Sequence, residues 1–209
     1  MSGKDTKLNI YNSAKTLFCE KGYLATTVAD IINLSKTNKG CFYHHFESKY
    51  DIGLQIYLEM RSDSFNLEEL FPEENPLVHF SLGIMLGWYS YFNSLSNRKF
   101  MSEFFSEKAI SGREEVYRVC QKYSDKHFSE KELQLIKLAD TGLTTQLFRS
   151  LMDQIDHYNY EEISIFYLCT LFEMLKINKG IIEKTFQRAS VLFKSLNIKL
   201  DGLYVSLEK

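Results

Sequence analysis

Apolar positions recur at spacings of three and four along most of this chain of 209 residues, the period of helices that bury one face. The pattern is sharpest in residues 27–46, TVADIINLSKTNKGCFYHHF. Val28, Ile31 and Ile32 share a face. Thr27 is placed to cap that helix, with Asp30 completing a capping box. Ser35-Lys36-Thr37-Asn38 interrupts the pattern, and Asn38 is suited to cap a second helix in which Phe42 and Phe46 both turn inward. Residues 6–21 predict a preceding helix, with Ile10, Ala14, Leu17 and Phe18 on one face and Gly22 just past its end. Ser48, with Asp51 as its box partner, opens a fourth helix that runs to about residue 70, carries apolar residues on more than one face, and so connects two parts of the chain. Phe71 to Pro76 breaks it, because proline disfavours helical geometry in the residue before it. Further helices are predicted near 76–95, 98–110, 112–123, 129–156, 159–177 and 180–196, separated at Asn97, Ser111-Gly112, Ser129, Asn159 and Asn178-Lys179-Gly180. The tail, 197–209, shows only a short alternation around 203–207, fitting an extended segment or a loose one. The expected fold is all-α: a three-helix module over residues 1–50 and a larger helical domain over 51–209.

Composition changes this picture little. Hydrophobic content of 44% and charged content of 25% are ordinary for a globular protein. The net charge of −2 excludes a general binder of polyanions. The charge is unevenly spread. Residues 1–50 hold seven lysines against four acids, +3, which leaves −5 for the rest. Cys19, Cys41, Cys120 and Cys169 form neither a CxxC pair nor a metal-binding spacing, which points to reduced thiols in a cytoplasmic protein. The longest apolar stretches are too short and too interrupted to span a bilayer. No Gly-rich phosphate loop, HExxH or GxSxG is present, so an enzyme is not expected, nor any cofactor.

The helix after Asn38 turns Lys39, Cys41, Tyr43, His44 and His45 outward, leaving charge for phosphates and hydrogen-bonding groups for base edges. His44 and His45 are adjacent on a helix and point about 100° apart, so no metal site is expected there. A run of matching motifs now lies in order over residues 8–51: Ala14, Leu17, Phe18, Glu20-Lys21-Gly22-Tyr23, Thr27-Val28, Asp30-Ile31, the block from Lys39 to Phe46, and Ser48-Lys49-Tyr50-Asp51. This quarter of the chain resembles the helix-turn-helix domain of the TetR family of bacterial transcription regulators, with the motif itself at 27–46. The resemblance implies that Thr27, Tyr43 and Lys49 contact phosphates and that Lys39, Gly40, Cys41 and His44 face the major groove. The helix starts at Thr27, Asn38 and Ser48 also offer amides to phosphates. Two positions depart from the family pattern. Lys36 replaces a usual glycine in the turn, so either the turn takes another shape or Lys36 carries strain. Cys41 replaces a usual Thr or Ser.

The second half is rich in aromatics. Trp88, Tyr89, Phe92, Phe104, Phe105, Tyr117, Phe148 and Met152 read either as plain core or as walls of a small-molecule pocket, which is where the family usually holds an inducer. The small residues around Gly142 and Thr145 permit close helix approach. With Phe166, Thr170 and Met174 they form a candidate dimer face or a crossing within one subunit. The expectation is a sequence-specific, ligand-responsive repressor that binds an inverted-repeat operator in double-stranded DNA as a homodimer and answers to a small, largely apolar or aromatic effector. The alternative is a helical protein-interaction or ligand-binding module without a DNA role.

Overall fold

The computed structural model describes residues 3–60, 66–108 and 114–208. Helix α1 (Gly3–Glu20) is followed by α2 (Val28–Ser35), α3 (Lys39–His45) and α4 (Lys49–Glu59). Each start after α1 is set by its cap. Thr27 and Ser48 make complete capping boxes with Asp30 and Asp51, and Asn38 Oδ1 accepts from the Cys41 amide at 2.8 Å. Gly22 has φ +94°, the left-handed conformation that ends α1. Ile10, Ala14, Phe18, Ile31 and Phe42 are all but fully buried, so the apolar stripes of the three helices face one another. The Asn9 side chain ties α1 to the end of α2 by donating to Ser35 O at 2.7 Å.

The expected helix from Ser48 to about residue 70 is shorter. α4 ends at Glu59 with Met60 as its C-cap, residues 61–65 lie outside the described residues, and a separate turn of helix, α5 (Leu67–Leu70), follows. Asn75 caps α6 (Pro76–Asn93), with proline at the first helical position where no amide is needed. α6 is the central element of the second half. It is buried on several sides, from Leu77 and Leu82 to Trp88 and Tyr91, and packs against α10 and α11. α7 (Leu95–Glu107) starts earlier than the apolar pattern suggests, because Ser94 caps it through the Asn97 amide. The predicted break at Ser111-Gly112 lies outside the described residues. α8 (Glu114–Gln121) and α9 (Glu130–Ser150) follow; α9 ends before 156, giving way to two single 3₁₀ turns. α10 (Tyr160–Met174) and α11 (Lys179–Lys194) complete the helices.

The tail is the departure from a purely helical chain. β1 (Asn197–Asp201) and β2 (Tyr204–Glu208) pair antiparallel around Gly202-Leu203. The hairpin tip returns to the N-terminal helix. Leu203 is fully buried, and the Lys15 ammonium lies 3.5 Å from the centre of the Tyr204 ring.

The N-terminal helices do not sit apart from the rest. Phe18, Tyr23, Phe100 and Phe104 stack edge-on and face-on at centroid distances from 5.1 to 5.9 Å. Gly53 of α4 admits them, since a Cβ there would meet a Phe104 ring carbon at 2.7 Å and a Tyr23 ring carbon at 2.9 Å. α7 also grips the loop after α1: Glu103 accepts from the Leu24 amide at 2.8 Å, and Lys99 donates to Lys21 O at 3.2 Å.

Candidate functional site

The turn between α2 and α3 keeps a left-handed residue without a glycine. Lys36 has φ 52° and ψ 38°, and its amide closes the end of α2 by donating to Asn33 O. The turn shape implied by the family pattern is therefore retained, and Lys36 bears the cost of its Cβ, of order 1 kcal/mol. The turn swings α3 so that Phe42 and Phe46 enter the core while Lys39, Gly40, Tyr43 and His44 are exposed. The edge of the Tyr43 ring meets Phe42 at 5.2 Å. His45 is half-buried and its ring lies 4.8 Å from that of His44. Cys41 is half-buried against the core, which leaves it less of the outer face than its neighbours. Asn38 is exposed, with its side-chain oxygen engaged in the cap. The exposed Lys36 adds a cation beside this face that outward helical spacing alone does not find.

Thr27 is exposed at the start of α2, but the one proton of its hydroxyl goes to Asp30 Oδ2 at 2.8 Å. An anion at this end is therefore offered the first-turn amides rather than the hydroxyl. Asp30 is held down to about 2, chiefly by the Thr27 amide, then by the Thr27 hydroxyl and by Lys21.

Lys49 departs furthest from its expected place. It points inward rather than toward solvent. Its ammonium donates to Tyr23 O at 2.8 Å, lies 4.2 Å from the Tyr23 ring centre and 4.0 Å from the Glu107 carboxylate, and its side chain is only 18% exposed. Burial lowers its pKa, while Glu107 and Glu103 pull the other way. In this conformation it bridges α4, the loop after α1, and α7.

The second half holds a small cavity of about 40 Å³ between α6, α8, α9 and α10. Of the eight positions expected there, Trp88, Tyr117 and Phe148 line it. The other five do not. Tyr89 packs on Tyr160 and Phe193, Phe92 lies against Tyr91, and Phe104 belongs to the ring cluster beneath the N-terminal helices. Phe105 stacks behind Phe148 at 4.6 Å, and Met152 sits in the 3₁₀ turn after α9. Periodicity marks such rings as inward-facing but not which neighbour each meets. The cavity also takes Tyr57, Thr144 and Tyr167, and one charged residue, Asp140, buried at 4% exposure. Asp140 and Thr144 come from the small-residue segment read as a dimer face or as a crossing within one subunit.

That dimer face is likewise divided. Gly142 and Phe166 are exposed, Thr170 and Met174 half-buried. Thr145 is buried within the subunit, so it is not available to a partner. Leu138, at the start of that segment, is exposed, and Leu135 on α9 and Ile165 on α10 are exposed large apolar residues not anticipated in that role. Among the described residues no helix is long and apolar enough to cross a membrane, and no group of three metal-ligating side chains converges.

A left-handed turn joining two short capped helices, the second with a polar outer face, packed on a larger helical body, defines a helix-turn-helix protein with an appended helical domain. Residues 10–56 match the model for bacterial regulatory proteins of the tetR family, so this N-terminal segment is of the tetR type. It is 28% identical over 130 residues to the HTH-type transcriptional regulator QacR of Staphylococcus aureus, which covers 60% of this chain and 66% of that protein. It is 35% identical over 63 residues to the HTH-type transcriptional repressor DhaR of a Mycobacterium species, covering 30% and 32%. The matches thus span less than two thirds of these relatives' own lengths. A crystal structure of RolR in complex with resorcinol shares the fold across 89% of this chain and 95% of its own, with a TM-score of 0.54 at 11% identity.

Proposed function

We propose that this protein is a DNA-binding transcriptional regulator in which residues 1–50 read an operator and residues 51–209 pair two subunits and admit a small-molecule effector. The observation that carries the reading is the exposed face of α3, Lys39, Gly40, Tyr43 and His44, held outward by the burial of Phe42 and Phe46 inside a TetR-type domain. Lys39 and His44 suit base edges, Gly40 lets the backbone come close, and Tyr43 reaches a phosphate. Cys41 and His45 have a smaller share of that face. One such module makes few contacts. A two-fold dimer sets two of them in successive major grooves, about 34 Å apart, and calls for an inverted repeat. Leu138, Gly142 and Phe166 support the pairing, as exposed apolar or small positions on α9 and α10. The control we propose is a two-state shift: an effector in the cavity favours a spacing of the reading helices that does not fit adjacent grooves, acting only through its difference in affinity between the states.

The test is selection from random-sequence duplexes with the purified chain, followed by binding at several salt concentrations. The expected result is an inverted repeat whose affinity falls as salt rises, through release of counterions. His44→Ala and Lys39→Ala should change the preferred bases, and Tyr43→Ala should weaken all duplexes alike. Failure to enrich any sequence would remove the regulator reading and favour the alternative, a helical ligand-binding or protein-interaction module.

A further inference from the structure

The cavity in the second half contains a buried negative charge. Asp140 accepts from the Tyr117 hydroxyl through Oδ2 at 2.5 Å and from the Tyr167 hydroxyl through Oδ1 at 2.7 Å. A carboxylate offers about four lone-pair sites, so two hydroxyls leave roughly half its accepting capacity open. Neutral donors also leave the charge itself in place. None of the ion pairs among the described residues includes Asp140. Lys137, three residues earlier on α9, places its ammonium 5.7 Å from the centre of the Tyr117 ring. A charge kept out of water is costly unless a counter-charge meets it. Much of the remaining lining is aromatic, including Tyr57, Trp88 and Phe148. Aromatic faces attract cations and disfavour anions, so the rings and the carboxylate select the same sign.

We propose that the effector of this cavity is an organic cation, with its positive nitrogen against Asp140 and its carbon groups among Trp88 and the neighbouring rings. The proposal rests on the reading of the second half as an effector-binding domain, and it assigns that effector a charge. At about 40 Å³ the cavity holds only a few waters as it stands. A larger occupant displaces Tyr117 from Asp140, so the carboxylate exchanges a neutral donor for a cation and is never left bare. The space continues over α6, where a Cβ added at Gly87 meets nothing within 4 Å.

Trp88 is the one tryptophan of the chain and lines the cavity, so its fluorescence reports occupancy. The experiment titrates the full chain with benzylammonium, benzyl alcohol and benzoate, which are similar in size and carry charges of one sign, none and the other. Benzylammonium should saturate the Trp88 signal with at least about a tenfold advantage over benzyl alcohol, and benzoate should bind weakest. Asp140→Asn should abolish that advantage with helical content unchanged, Asp140→Glu should retain it, and Gly87→Leu should exclude all three by filling the space. The two last variants keep the test decisive if Asp140→Asn fails to fold. Equal affinity across the charges, tighter binding of benzoate, no benzylammonium signal at millimolar concentration, or an advantage that survives Asp140→Asn would each overturn the proposal. Operator selection on the same preparation separates the two readings. DNA binding without cation binding leaves the regulator and removes the cation, and cation binding without DNA binding does the reverse.

Discussion

Replacing Lys49 with alanine separates two roles for one side chain. Family resemblance makes it a phosphate contact, whereas the structure turns it inward onto Tyr23 O at 2.8 Å, the Tyr23 ring at 4.2 Å and Glu107 at 4.0 Å. A hydrogen bond from a charged donor contributes about 1.5–3 kcal/mol. The ring contact is worth about 0.5–1 kcal/mol. The long pair with Glu107, a side chain that is 39% exposed, adds under about 1 kcal/mol. One ammonium makes all three, so they do not add, and the hydrogen bond sets the scale at about 2 kcal/mol. For a chain of this length each kcal/mol moves the melting temperature by about 2–4 °C, so Lys49→Ala should lower it by roughly 4–8 °C. Because the ammonium is already engaged, the slope of log affinity for operator against log salt should stay near the parent's. A phosphate contact would behave in the opposite way: melting unchanged, and the slope smaller by about 0.9. Calorimetric melts and operator binding across a salt series measure both quantities. An unshifted melt together with a fall of about 0.9 in slope would refute the inward role.

Three further outcomes are expected. Lys36→Gly relieves the left-handed strain but loosens the unfolded chain, so the net effect should be a stabilisation of at most about 1 kcal/mol in urea unfolding, and a destabilised variant would show that Lys36 makes contacts beyond its backbone. The Asp30 carboxyl, held at about 2 against an ordinary 3.8, contributes stability that is complete above the ordinary value and lost as pH falls through the lowered one. Asp30→Asn should therefore flatten stability against pH in that acid window when denaturant melts are compared, and an unchanged slope would argue against the cap. Gly142→Arg faces open space, with nothing within 4 Å of its Cβ, so helicity should persist while light scattering shows a weaker dimer and the operator affinity drops with it; an intact dimer at micromolar concentration would move the interface elsewhere.

The features legible in the sequence are those decided within a few residues. Thr27 with Asp30, Asn38, and Ser48 with Asp51 mark helix starts because a cap and its amides lie within one turn, and Phe42 and Phe46 are inward because four residues bring a helix back to the same face. The turn at Lys36 shows where that reading stops. The chain path is set by how α2 and α3 pack, and the packing holds a lysine in a conformation its own preference opposes. The hairpin at 197–208 left only a trace of alternation, since two short strands are stabilised by each other and by the surface of α1 rather than by local propensity. Lys49 looks outward on a helical wheel until α7 brings Glu107 and Tyr23 brings its carbonyl to it across the fold. Asp140 is the same case in the second half. Along the chain it is one acidic residue in a small-residue segment. Only the crossing of α8, α9 and α10 brings two tyrosines from 23 and 27 residues away to its two oxygens and closes aromatic walls around it.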